Sequence, residues 1–161
     1  MNKRHWLYVA GLCFLIDILT KLWVAHRLVY LREIVILPGF FSLLPITNRG
    51  IAFSLFAGYN SPWRTVLLSA AALAALAYIG WVVWREPRLD RWQGTGLALV
   101  TGGILGNSVN RLVTGSVIDF LDFHIGIYSW PTFNLADTFI SVGAGLVLLS
   151  LLRSPSEAPC P

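Results

Sequence analysis

Four apolar runs decide most of what this chain can become. Residues 6–24, 65–84, 95–111 and 135–152 consist largely of aliphatic, aromatic and small side chains. The longer ones reach about 18–20 residues, enough for a helix rising roughly 1.5 Å per residue to cross a bilayer core. The third, rich in glycine, is the shortest in purely apolar residues. A helix is the expected form throughout, because lipid offers no partner to an unpaired backbone N–H. Charged residues make up only 12% of the chain, and the mean hydropathy is +0.67. Those values exclude a soluble fold with a solvated surface. At 161 residues there is room for one domain. The sequence therefore predicts a four-span integral membrane domain over residues 1–153, followed by a disordered cytoplasmic tail, 154–161.

The opening "MNKRHWLYVAGLCFLIDILTKLW" has the basic lead and apolar run of a secretory signal. Asp17 interrupts that run, no small-residue cleavage site follows, and further spans come after, so it reads as a retained first span. Leu12 stands where a lipoprotein signal would need a small residue before Cys13. The only other cysteine, Cys160, lies in the tail, and two isolated thiols imply no disulfide framework.

The net charge of +4 reads as topology rather than nucleic-acid binding. An even number of spans puts both termini on one side. Lys3, Arg4, Arg85, Arg88, Arg91 and Arg153 fall on that side, in short segments close to the span ends. Lys21, Arg27, Arg32, Arg49, Arg64 and Arg111 fall on the other, mostly in a long loop. The positive-inside bias acts on short segments, which puts the termini in the cytoplasm. Trp6, Trp23, Trp63, Trp81, Trp84 and Trp92 lie mostly near span ends, as an interfacial aromatic belt would.

Two segments face the opposite side. In "REIVILPGFFSLLPIT" two β-rich runs flank Pro38-Gly39, which predicts a small hairpin or bent sheet. "NRGIAFSLFAGYN" is apolar enough to lie on the membrane surface. Residues 112–133 form the second segment, and both are expected to rest on lipid and on each other.

Several polar residues are out of place in so apolar a chain. Asp17 and Lys21, four apart, share a helix face. They read either as a self-neutralised pair with Lys21 snorkelling to the interface, or as an interior aspartate that orients a site. Asn107 and Arg111 share a face at the end of the third run, where Arg111 could equally anchor to lipid phosphate. Glycines 102, 103 and 106 permit close helix approach. Asn134 and Asp137 have the spacing of an ordinary helix start. Asp119 and Asp122 sit in "VIDFLDF", a poor setting for merely solvated charges, and Asp122 is expected on the same side as Asp119. Two aspartates brought together at a membrane edge share one proton, as in an aspartic protease.

"DILTK", "NRGIAF", "GNSVNR", "VIDF" and "FNLAD" resemble, in order and spacing, the motifs of the lipoprotein signal peptidase (signal peptidase II) family. The resemblance implies a four-helix aspartic peptidase of the bacterial inner membrane, with a small extracytoplasmic β-cradle and a surface amphipathic helix. It implies cleavage of diacylglyceryl-modified prolipoproteins just before the lipidated cysteine, on the periplasmic side. Only one histidine, His124, lies in the segment that holds Asp119, with no ligand set of suitable spacing, so no metal or cofactor is expected. Asp119 and Asp137 match the catalytic pair. Asn48, Asn107, Arg111 and Asn134 match residues lining the substrate site, and Asp17 matches the first-span aspartate. A monomer is expected. Two positions depart: Asp17-Ile18 replaces the usual Asp-Gln, and Asn110-Arg111 replaces the usual Asp-Arg, which removes a charge beside Arg111. Two other readings stay open: a relative that binds lipoprotein precursors without cleaving them, and a small proton-coupled transporter using Asp17. The second run, "TVLLSAAALAALAYIGWVVW", offers a transporter almost no polar residues.

Overall fold

The computed structural model describes residues 1–28, 33–48, 62–86 and 89–153. The helices are α1 (Lys3–Arg27), α2 (Pro62–Arg85), α3 (Arg91–Thr114) and α4 (Leu135–Arg153). Each boundary has a local cause. The Asn2 side chain accepts the Arg4 N–H at 2.7 Å and starts α1. Asp90 caps α3 by accepting the Trp92 N–H at 3.0 Å. Gly115 ends α3 at φ 71°, a left-handed conformation that costs a residue with a Cβ.

Three of these helices, α1, α2 over Val66–Arg85 and α4, are long and apolar enough to cross a membrane. The third run, expected as a glycine-rich fourth span, is not among them. α3 is 24 residues long, yet glycine, threonine, asparagine and arginine dilute it. Its surroundings explain why. α3 packs most closely on α4 and α1 and more lightly on α2, and Gly94, Gly96, Ala98, Thr101, Gly102, Gly103, Gly106 and Asn107 are buried. A Cβ on Gly102 would fall 2.6 Å from the Ala10 carbonyl oxygen, and one on Gly96 would fall 2.6 Å from that of Gly143. Backbones this close exclude larger side chains, so α3 is small where its neighbours are apolar.

α1 shows the reverse of a soluble amphipathic helix. Its buried residues are Ala10, Cys13, Asp17, Lys21 and Val24, whereas Leu7, Leu12, Leu15, Leu19 and Leu22 are exposed. Charge faces the bundle and hydrocarbon faces outward, as a lipid solvent requires.

At the end of the bundle formed by the last turns of α1 and α3 sits a four-stranded antiparallel sheet of order β1-β2-β3-β4. Its strands are Ile34–Leu37, Phe41–Asn48, Val117–Ile125 and Tyr128–Ser129. The hairpin expected around Pro38-Gly39 is present, with Gly39 at φ 75°. The β2–β3 pairing slips between Leu43 and Ile46, beside Pro45, which has no N–H to give a ladder. Val24, Leu28 and Phe120 form the core that joins α1 to the sheet.

At the opposite end, cations lie on aromatic rings. Lys3 Nζ is 4.6 Å from the Trp84 ring centre, and the Arg85 and Arg153 guanidinium carbons lie 5.2 and 5.1 Å from those of Trp81 and Trp92. The Met1 ammonium donates to the Leu89 carbonyl. The surface helix expected after Asn48 and the tail 154–161 lie outside the described residues.

Candidate active site

β3 and the start of α4 come together because the chain returns along its own strand. The Phe120 and Leu121 N–H groups donate to the Phe133 carbonyl at 3.0 and 2.8 Å, and Phe133 N–H donates back to Leu121 at 3.2 Å. This bridge carries Asn134 to Asp119, whose Oδ1 accepts the Asn134 side-chain amide at 2.6 Å. β2 supplies the other partner. Ile46 lies opposite Asp119 and Asn48 opposite Val117, so Asn48 is a diagonal neighbour on the same face. Its Nδ2 donates to Asp119 Oδ2 at 2.8 Å. Asp119 is only 3% exposed.

Asp137 is held by the helix it begins. Its backbone N–H donates to Asn134 Oδ1 at 3.0 Å, and its Oδ2 accepts the Asn134 backbone N–H at 3.3 Å. That reciprocal pair is a capping box with Asn and Asp in the two places. Its Oδ1 accepts the Asn107 amide from α3 at 2.8 Å. Asn107 Oδ1 in turn accepts Asn134 Nδ2 at 3.2 Å and Lys21 Nζ at 2.8 Å. The two aspartates, eighteen positions apart in the sequence, are thus joined through two asparagine side chains.

Beneath them lies the ion pair of α1. Lys21 Nζ is 2.7 Å from Asp17 Oδ2, with the two side chains 2% and 0% exposed. Asp17 Oδ1 accepts the Ala136 N–H at 2.9 Å. Lys21 does not snorkel to an interface: its ammonium has buried partners on α1 and α3 and turns inward to them. Lys21 was not among the candidate site residues. The signal for it was its place one turn from an aspartate on a face that turned out to be interior.

Arg111 is half-buried one turn beyond Asn107 and makes no hydrogen bond or ion pair among the described residues. The charges of Asp137 and Asp119 act on its guanidinium. Asn110 plays a different part: its Oδ1 accepts the Ile118 N–H at 2.8 Å and fixes the start of β3. Asp122 is not beside Asp119. Three residues apart in a regular strand, the two point to opposite faces. Asp122 Oδ2 lies 3.3 Å from His124 Nδ1 and 3.4 Å from Ser42 Oγ. Asp17, Asn48, Asn107, Asp119, Asn134 and Asp137 are brought together, with Arg111 at the edge. Among the described residues no three His, Cys, Asp or Glu side chains converge as a metal would require.

Burial pushes the Asp119 carboxyl up to about 6, and the nearby charge of Asp137 pushes the same way, against hydrogen bonds from Asn48 and Asn134 and the charge of Lys21. All four oxygens of Asp119 and Asp137 meet N–H donors, and no cation among the described residues contacts either carboxylate. Such a pair can hold one proton between two carboxylates, leaving one to take a proton from water and the other to donate to a carbonyl.

Residues 9–153 match the family model described as signal peptidase (SPase) II. The chain is 41% identical over 150 residues to a lipoprotein signal peptidase of Solibacter usitatus, covering 93% of this chain and 92% of that one. A lipoprotein signal peptidase of Vibrio cholerae is 39% identical over 157 residues, with 96% and 91% covered. A solved bacterial membrane enzyme superposes with a TM-score of 0.84 at 23% identity, covering 98% of this chain and 93% of that one, a likeness of fold alone. With the family model matched over residues 9–153 and relatives of that name aligned over more than nine-tenths of each chain, this protein belongs to the signal peptidase II family.

Proposed function

We propose that this protein is an aspartic endopeptidase that removes the signal peptide from diacylglyceryl-modified prolipoproteins, cutting just before the lipidated cysteine. Asp119 and Asp137 are the catalytic carboxylates. One, ionised, takes a proton from the attacking water, while the other, protonated, hydrogen-bonds the scissile carbonyl. The observation that carries this reading is the asparagine bridge that joins two carboxylates from distant strands and helices, one of them buried enough to hold its proton to about pH 6.

α3 serves as a fourth span inside the bundle, and residues 1–153 act as one domain, working as a monomer. Both termini lie in the cytoplasm, in keeping with the basic residues clustered at that end, and the site opens on the periplasmic side. The substrate's lipid anchor stays in the bilayer, so membrane depth sets the position of the scissile bond and removes much of the entropic barrier to alignment. Arg111, with no partner of its own among the described residues, receives the substrate backbone. Asn48, Asn107 and Asn134 present their amides to the reacting centre. Asp17, with both oxygens engaged, supports the site from below.

Incubation of the detergent-purified protein with a lipid-modified prolipoprotein tests the reading. A shortened product is expected, unaffected by chelator and missing in Asp137→Asn. Binding of the precursor without cleavage would leave only a precursor-binding relative, and loss of cleavage with chelator would refute the metal-free mechanism.

A further inference from the structure

Resting on Asp119 and Asp137 as the reacting pair, we infer that Lys21 is a positioning residue whose ammonium sets the direction of the asparagine relay beneath them. An asparagine amide has nearly the same shape when turned by half a revolution, but the turn exchanges a donor for an acceptor. Something in the site must choose between the two. An ammonium carries three N–H groups and no lone pair. Lying 2.8 Å from Asn107, it must meet the oxygen of that amide. The NH₂ end then faces Asp137 Oδ1 at 2.8 Å.

The choice propagates. With its oxygen fixed, Asn107 accepts from Asn134 Nδ2 at 3.2 Å, and the same nitrogen reaches Asp119 Oδ1 at 2.6 Å. The remaining end of Asn134, its Oδ1, takes the Asp137 backbone N–H at 3.0 Å. Were Asn107 turned over, its NH₂ would oppose both the ammonium and Asn134, and its oxygen would oppose Asp137. Two donor-only groups, the Lys21 ammonium at the Asn107 end and the Asp137 backbone N–H at the Asn134 end, therefore hold the relay so that both aspartates receive N–H donors.

Asp17 makes the buried lysine tolerable. It neutralises the ammonium at 2.7 Å and accepts the Ala136 N–H at 2.9 Å, tying the pair to the turn that carries Asp137. The charged groups around Lys21 are Asp17 on α1, Asp137 on α4 and Asp119 on β3, and Arg111 follows on the Asn107 face of α3. Since Asp17 and Lys21 cancel, what the lysine adds is direction rather than net charge.

Three variants test this with kcat and KM measured separately on a lipid-modified prolipoprotein, per folded molecule, across pH. Asp17→Asn/Lys21→Met removes both charges together and strands neither. Lys21→Gln keeps a polar end that can present oxygen to Asn107. Lys21→Arg keeps donors only. The first two should lose about 10–100-fold in kcat, the range seen when supporting hydrogen bonds behind reactive groups are removed. KM should hold within about threefold, and the pH profile should move, because the loss lies in the reacting state. Lys21→Arg should keep kcat within about threefold of the parent, a rescue that a mere packing role would not produce. Unchanged kcat per folded molecule in Lys21→Gln, or a loss that tracks only the folded fraction, overturns the inference, and Lys21→Gln decides alone if the double variant does not insert. Failure of the parent to cleave, or cleavage by Asp119→Asn, sinks the assigned reaction itself. Cleavage by the parent with Lys21→Gln equal to it sinks only the role of Lys21.

Discussion

Asp119→Asn should free the protein's stability from the ionisation of Asp119 while silencing it. Asparagine never ionises, but it has one acceptor end only, so its NH₂ must face one of the two amide donors, Asn48 Nδ2 or Asn134 Nδ2, that Asp119 accepts, a pH-independent penalty of about 1–3 kcal/mol. The pH-dependent part of the difference between parent and variant is the free energy of ionising Asp119 in its buried place. In the folded protein this carboxyl sits at about 6 against an ordinary 3.8, a gap worth about 3 kcal/mol. The sign follows from proton binding. Between these two values the folded state holds a proton that the unfolded state has released, so raising the pH through this window destabilises the parent and leaves the variant untouched. Below the unfolded value ionisation contributes nothing to the difference, and at pH 4 it contributes only about 0.5 kcal/mol. Between pH 4 and pH 7.5 the parent should lose about 2.5 kcal/mol relative to the variant, roughly 5–10 °C in melting temperature for a chain of this size. Intrinsic fluorescence of the seven tryptophans during heating in detergent provides the assay. A melting difference between variant and parent that is the same at pH 4 and pH 7.5 would refute the reasoning, as would one that shifts in the parent's favour as the pH rises.

Asp119→Asn and Asp137→Asn should each lose cleavage by orders of magnitude, and the double variant should be scarcely worse, because the pair acts as a unit. Asp122→Asn, on the opposite strand face, should cleave within about threefold of the parent by the same measure. Gly106→Ala would place a methyl 2.9 Å from Asp17 Cγ; expect overpacking of about 1–3 kcal/mol in a melt and reduced cleavage. Asn110→Asp retains an acceptor for the Ile118 N–H, so cleavage should stay similar or improve as Arg111 gains a countercharge. A collapse of activity there would show that the site depends on the amide.

How much of this was legible beforehand depends on whether a signal was local. The hairpin around Gly39, the capping geometry of Asn134 and Asp137 and the apolar spans follow from spacing and turn chemistry within a few residues. The grouping of Asp17, Asn48, Asn107, Asp119, Asn134 and Asp137 was expected through family motifs; no periodicity would have produced it, since the contact that closes the site is a backbone bridge between Leu121 and Phe133. Of the two readings of Asp17 and Lys21, the interior one fits the structure and the snorkelling one does not, because only tertiary packing turns the lysine inward. Asp122 was misplaced because strand alternation, once β3 is known, puts odd separations on opposite faces. α3 is less apolar than its neighbours because its surroundings are other helices, which composition alone does not reveal.

The capping box of α4 has a consequence for how the protein is observed. Asn134 and Asp137 close the first turn with one end of each side chain and turn the other end to the proposed reacting centre, so forming the helix start and assembling that centre are one event. At most helix ends fraying is silent and needs little free energy. Here it would withdraw Asn134 from Asp119 and strip Asp137 of its backbone donor. Hydrogen exchange at the Asn134, Ala136 and Asp137 amides therefore measures how often the enzyme is ready to work. A compound that seats against both carboxylates and leaves the turn intact will slow that exchange, so inhibitors can be ranked on this protein without a single turnover.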